Sequence, residues 1–264
     1  MKSIVFLFFS ILVMQMGRAQ DTKAFSEYEI EQFKFKGRNA IVVIPKNTND
    51  KHLWVWRARF WGHEPQTDLA LLEKGFHVVY VDVADLFGSK KAQRVWNKFY
   101  RRVTKKYKLH PKAVLEGFSR GGLMVYNWAS KNTEKVVCIY ADAPVCDIKS
   151  WPGGLYSDIG SPEDWTICLK VYGLNTRSVL HFDDIPINNS IKVAKANIPV
   201  IHVYGEADKL VPYTENTAVL AKNFKKAGGT IKLIGKPGVG HHPHSLEDPK
   251  PIVDFILEHT SGLQ

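Results

Sequence analysis

Hydrophobic positions along this chain switch between a two-residue and a roughly 3.6-residue period, and the switches outline its elements. Residues 28–36 and 39–44 read as an opening pair of strands, and Leu53-Trp54-Val55-Trp56 as a third. His77-Val78-Val79-Tyr80-Val81 is an apolar run suited to a strand covered on both faces, and Val136-Val137-Cys138-Ile139-Tyr140 is another. Ala113-Val114-Leu115, residues 198–204 and Ile231-Lys232-Leu233-Ile234 complete the strand-like segments. Between them the spacing turns helical: residues 65–74 closed by Gly75, a basic stretch after residue 89, residues 123–129, residues 213–226 closed by Gly228-Gly229, and residues 251–259. Strands alternating with helices predict an α/β fold with a mostly parallel central sheet and helices on both faces.

One stretch breaks the alternation. Residues 145–196 lie between the sixth and seventh strands and run longer than a normal connection. Inside it, Ser161 is placed as a helix N-cap, Pro162 follows at the first position, and Glu163 and Asp164 fill the first turn. With Trp151, Tyr156, Trp165 and Tyr172 nearby, the stretch reads as a cap insertion folded over one end of the sheet, a decorative surface insertion being the alternative.

The first twenty residues stand apart. Lys2 precedes an apolar run over residues 4–16, and Gly17-Arg18-Ala19 offers small residues at a cleavage site. This predicts a secretory signal peptide over residues 1–19, followed by a single domain over residues 20–264, exported to the periplasm or beyond. The run falls short of the ~20 residues needed to span a bilayer, so no stable membrane anchor is expected.

Charge sharpens the picture a little. The chain of 264 residues carries a formal net charge of +10. No acid occurs between Asp85 and Glu116, a segment holding Lys90, Lys91, Arg94, Lys98, Arg101 and Arg102 among other cations. Ala92, Val95, Trp96, Phe99, Val103 and Tyr107 recur among them at helical spacing. The segment reads as a helix with a solvated basic face; a patch for an acidic polysaccharide is the sharper alternative. No nucleic-acid recognition motif is present. Of the three cysteines, Cys138 sits in a strand and reads as core, whereas Cys146 and Cys168 could pair if their loop folds back. The sequence sets no oligomeric state.

The chemistry gathers around Gly117-Phe118-Ser119-Arg120-Gly121, a Gly-x-Ser-x-Gly pattern between a strand and a helix. A serine hydroxyl becomes a useful nucleophile when the chain holds it in an exposed turn beside a base. In a parallel sheet, functional groups collect at the carboxyl ends of strands. Asp208 follows the seventh strand in Gly205-Glu206-Ala207-Asp208, and His241 follows the last strand in Gly238-Val239-Gly240-His241. The order Ser, Asp, His suits a nucleophile-elbow hydrolase. Asp142 and Glu206 are rival acids, and His242 and His244 are rival bases. A cluster of histidines raises a metal site, but no second set of Cys or His ligands accompanies it in the sequence, so no metal and no cofactor are expected.

On the elbow, the Asp-x-x-Val-Pro segment at Asp208-Lys209-Leu210-Val211-Pro212 and the Gly-x-Gly-His segment, the chain resembles the α/β-hydrolase superfamily over residues 30–260. More narrowly it looks like secreted bacterial esterase-like hydrolases that accompany polysaccharide-degrading enzymes, through residues 54–65 and 141–154. The resemblance implies an α/β-hydrolase fold with Ser119 as nucleophile, His241 as base and Asp208 as the acid that orients it. It implies the Arg120 backbone N–H as one oxyanion donor. The familiar His-Gly-Gly-Gly segment is absent, and the second donor falls to Arg59 or Phe60. Candidate substrate contacts are Arg59, Trp61, His63, Glu64 and Trp151, with Arg120 beside them. Arg57 or Arg59 could hold a substrate carboxylate, or either could be a structural ion-pair partner. The expected activity is cleavage of small-molecule or glycan carboxylic esters. A prolyl-peptidase-type hydrolase and an inactive glycan-binding protein are the alternatives.

Overall fold

In this computed structural model, which describes residues 23–263, the apolar runs become the strands of one eight-stranded sheet in the order β1-β2-β4-β3-β5-β6-β7-β8. The strands are β1 (Glu29–Phe35), β2 (Arg38–Ile44), β3 (Trp54–Arg57), β4 (His77–Val81), β5 (Ala113–Phe118), β6 (Val136–Asp142), β7 (Val200–Gly205) and β8 (Ile231–Lys236). β2 pairs antiparallel with both β1 and β4, and every later pairing is parallel. The central strands β3, β4, β5 and β6 are buried along their whole length, the two-sided cover that their unbroken hydrophobicity demands. The signal peptide expected over residues 1–19 lies outside the described residues. Among the described residues, no helix is long and apolar enough to cross a membrane.

Seven helices cover the sheet among the described residues: α1 (Gln66–Glu73), α2 (Lys90–Lys106), α3 (Gly121–Ala129), α4 (Pro162–Tyr172), α5 (Pro186–Lys195), α6 (Thr217–Lys226) and α7 (Lys250–Ser261). Alternate strand side chains feed two separate cores. Val42, Trp54, Trp56, Val79 and Leu115 meet α2, α3, α5 and α6, while Val43, Val55, Val78 and Val114 meet α1 and α7. The first core is built on tryptophan. Trp56 stacks on Trp96 with ring centroids 3.8 Å apart, and Trp128 meets both edge-on.

Helix α2 is the basic stretch. It is capped by Ser89 and buries Ala92, Gln93, Trp96, Phe99 and Val103. Gly75 closes α1 at φ +80°, where a side chain would meet the Asn47 carbonyl at 2.6 Å. Helix α6 starts at Thr217 rather than residue 213. Residues 213–216 have other work: Tyr213 stacks on Tyr204, and the Asn216 side chain accepts from the Cys146 N–H at 2.8 Å.

The long stretch between β6 and β7 splits into two parts. Helix α5 packs against α3 and α6 and belongs to the helical layer. Helix α4 starts as its sequence foretells, with the Ser161 hydroxyl accepting from the Asp164 N–H and Pro162 at the first position. It lies against the short turn Ala84–Leu86, just past the carboxyl end of β4. The three cysteines are all free and buried, so Cys146 and Cys168 do not pair.

Candidate active site

Ser119 leaves β5 in a turn that few residues adopt. Its φ is +48°, between a fully buried strand and the first turn of α3. Its N–H donates to the Asp142 carbonyl at 2.8 Å, and its own carbonyl accepts from the Gly122 and Val145 N–H groups at 2.9 Å. Those bonds strap the turn to the end of β6. Glycine is required around it because strand and helix cross closely. A Cβ at Gly117 would stand 3.0 Å from the Gly121 backbone, and one at Gly122 would stand 2.7 Å from Pro144 Cβ. Gly122 was not singled out by the pattern; its cause is the loop after β6, which local spacing does not reveal.

The three distant segments converge. His241 Nε2 lies 2.9 Å from Ser119 Oγ, and His241 Nδ1 lies 2.7 Å from Asp208 Oδ2. Asp208 Oδ1 accepts from the Leu210 and Val211 N–H groups, each at 2.9 Å. An ionised carboxylate only accepts, so the imidazole proton belongs on Nδ1, and Nε2 is left to accept from the serine hydroxyl. The loops carrying acid and base also touch. The Ala207 N–H donates to the Val239 carbonyl at 2.9 Å, and a Cβ at Gly205 would stand 2.1 Å from the Gly240 oxygen.

The rival acids are placed elsewhere. Asp142 is fully buried, accepts from the Ser245 N–H and the Tyr140 hydroxyl, and holds His244 Nδ1 at 2.8 Å. Glu206 lies beside Gly235. Of the rival bases, His244 is buried on Asp142, and His242 is exposed. Burial and the neighbouring imidazoles push His242 down to about 4, and burial lowers His63 as well.

Residues 102–262 match the model of the prolyl oligopeptidase family. The chain belongs to that family. It is thereby a serine hydrolase of the α/β-hydrolase superfamily. No curated protein matches it. Among solved structures, an acylaminoacyl peptidase from Pyrococcus horikoshii superposes with TM-score 0.68 at 14% identity, over 90% of this chain and 42% of that one. A puromycin-hydrolyzing peptidase of Mycobacterium tuberculosis gives TM-score 0.67 at 12% identity, over 89% of this chain and 40% of that one. A truncated carbohydrate esterase from gut microbiota gives TM-score 0.66 at 18% identity, over 89% of this chain and 97% of that one. The chain thus spans about two fifths of the length of these peptidases. At these identities the likeness is one of fold.

Two loops meet beside the Ser119 turn. The backbone N–H groups of Arg120, Arg59 and Phe60 donate to no acceptor among the described residues. Arg59 Cβ lies 3.4 Å from where a Gly121 Cβ would stand, so the 58–60 loop runs against the elbow. Helix α3 begins at Gly121 and turns its positive end toward the serine.

Arg57 is not a substrate contact. Its buried guanidinium pairs with Asp68 and, at 3.0 Å, with Glu116, and it sits 4.3 Å from the Phe118 ring. It also donates to the Arg59 and His63 carbonyls, pinning the 59–63 loop. Burial and the Asp68 charge raise the Glu116 carboxyl well above the ordinary range. A protonated Glu116 beside Arg57 and Asp68 leaves the buried trio uncharged overall. A glutamate inside an apolar strand was the available signal for this group.

Arg59 differs from Arg57. It is largely buried against the Phe60 ring at 4.4 Å, its Nε has no hydrogen-bond partner, and no carboxylate pairs with it among the described residues. Burial and the charge of Arg120 lower it to about 10. Arg120 is itself paired with Asp164 of α4 at 3.0 Å, over the Phe87 and Trp151 rings. Trp151 stacks on Phe87 and is only 7% exposed. Trp61 is a correction to the sequence reading. It packs between Phe25 and Tyr80 in the second core and is 9% exposed, so its ring serves the core. His63 and Glu64 stay partly exposed on the loop that Arg57 pins.

Proposed function

We propose that this protein is an exported serine hydrolase that cleaves carboxylic esters through an acyl-enzyme, with Ser119 as nucleophile, His241 as base and acid, and Asp208 as the group orienting the imidazole. The observation that carries the reading is the unbroken hydrogen-bonded row from Ser119 Oγ through His241 to Asp208. Ser119 attacks the ester carbonyl as its proton passes to His241 Nε2. The oxyanion is met by the Arg120 N–H and by the N–H of Arg59 or Phe60. His241 then protonates the leaving alcohol, and water reverses the sequence to release the acid.

A carbohydrate ester carrying an acidic group is the favoured substrate. The gut carbohydrate esterase supports it, being matched over 97% of its own length. Arg59 supports the acidic group: a buried cation without a carboxylate is satisfied by one on the substrate. Export by a cleaved leader over residues 1–19 fits such a substrate. The tryptophans lend less than their number suggests, since Trp54, Trp56 and Trp61 are core. A peptidase reading has family membership and the peptidase structures behind it.

The two readings separate on paired substrates. Aryl esters and acylated glycans are expected to turn over, with aminoacyl amides at least about a hundredfold slower; the opposite preference would establish the peptidase reading. Arg59→Gln is expected to lower kcat/KM about 10–100-fold for esters bearing a carboxylate, and far less for neutral esters. Equal losses on both would assign Arg59 to the scaffold. Asp208→Asn is expected to lower kcat about ten-thousand-fold while the fold persists, because the amide favours the wrong imidazole tautomer. A loss under tenfold would show that another acid serves.

A further inference from the structure

Two histidine–carboxylate pairs stand side by side at the rim of the sheet, and hydrolysis employs one of them. His241 turns Nδ1 to Asp208 and Nε2 to Ser119. His244 turns Nδ1 to Asp142 at 2.8 Å, and its ring is 2% exposed, yet its buried Nε2 has no hydrogen-bond partner. A buried polar atom left unpaired costs about 1–3 kcal/mol, so a scaffolding role alone does not explain this ring. His242 stands beside both pairs. Its ring centroid is 5.0 Å from that of His241 and 4.7 Å from that of His244, which are themselves 4.9 Å apart. One ring nitrogen from each of the three lies within 4.8 Å of the others. His63 approaches from the loop after β3, 5.6 Å from His242 and 5.9 Å from His244; its Nε2 makes no hydrogen bond, with Glu64 Oε1 3.9 Å away.

An imidazole whose one nitrogen is held by a carboxylate and whose other is free is oriented as metal-ligating histidines are. The carboxylate fixes the tautomer and raises the basicity of the ligating nitrogen. We propose that His241, His242 and His244, with His63 as a fourth imidazole, bind a divalent transition-metal ion of zinc's class, and that binding switches hydrolysis off by drawing His241 Nε2 away from Ser119. Tetrahedral zinc–nitrogen bonds of about 2.0–2.1 Å place ligand nitrogens roughly 3.4 Å apart. The rings must therefore close from separations of up to 4.8 Å, and the exposed His242 and half-exposed His63 have room to turn. Asp142 and Asp208 keep their places behind the rings. The all-nitrogen donor set suits zinc, copper or nickel and gives calcium or magnesium none of the oxygens they need. Ion binding stands by itself; its inhibitory effect rests on the serine-hydrolase reading above.

The test uses untagged full-length protein. Zinc chloride is titrated calorimetrically, and fluorophosphonate labelling of Ser119 is timed with and without zinc. One ion per chain is expected, with labelling slowed at least about tenfold and restored by EDTA. His242→Gln changes an exposed side chain and is expected to bind zinc about 10–100-fold more weakly and to label in zinc at its own zinc-free rate. Absence of zinc binding, equal affinity in His242→Gln, or a saturated site with unslowed labelling each overturns the proposal. A protein that fails to label even in EDTA would refute the serine-hydrolase reading, while calorimetry on the same sample still decides whether the ion site exists.

Discussion

Replacing Ser119 by alanine is expected to lower kcat/KM for p-nitrophenyl acetate by about ten-thousand-fold or more, with melting almost unchanged. The large effect follows from the role of the hydroxyl. Without it no acyl-enzyme forms, and only oxyanion donors and substrate binding remain, which elsewhere leave a residual rate far below that of the intact site. The small effect on stability follows from geometry. The serine side chain has a single hydrogen bond, to His241, whereas the turn is strapped by backbone bonds that alanine keeps. Because φ at this position is +48°, alanine inherits the same strain and relieves none of it. Steady-state kinetics beside a thermal melt check both halves. Retention of more than about one per cent of the rate would remove Ser119 from the mechanism.

The largest stability loss is expected at Arg57. Arg57→Met removes the cation from a buried trio and leaves Asp68 and Glu116 facing each other. Breaking a buried ion pair from one side costs about 3–5 kcal/mol. For a chain of this size that lowers Tm by roughly 10 °C. Removing the acids as well, in Arg57→Met with Asp68→Asn and Glu116→Gln, is expected to recover much of the loss, since the penalty comes from the uncompensated Asp68 carboxylate. Differential scanning calorimetry of the single and triple variants decides it. A shift of under 2 °C in the single variant would mean that the trio bears no net electrostatic weight. The single variant should also lose activity at temperatures where it is folded, because Arg57 holds the Arg59 and His63 carbonyls of the loop proposed to supply the second oxyanion donor.

Much of the architecture was legible in the sequence because it is local. The strands needed only unbroken apolar runs, and α4 announced its start through Ser161 and Pro162. Ser119, Asp208 and His241 could be singled out because each follows a strand, and a parallel sheet brings those ends to one rim. What stayed hidden is pairwise and distant. Whether Asp142 or Asp208 faces His241 depends on which histidine of 241, 242 and 244 turns toward which strand end, and both acids turn out to hold one. Arg57 and Arg59 are two residues apart with similar surroundings in sequence, but only Arg57 meets Asp68 and Glu116. Trp61 looked available for substrate because its partners Phe25 and Tyr80 lie far from it along the chain.

The serine rises from β5 near the middle of the sheet, whereas His241 hangs from a loop after β8, an edge strand with one hydrogen-bonded neighbour. An outer strand can peel while the interior holds, because it gives up a single ladder and exposes little apolar surface. The proposed nucleophile and its proposed proton acceptor therefore belong to regions of unequal durability, and warming is expected to disarm this protein by detaching the imidazole before the scaffold around the alcohol gives way.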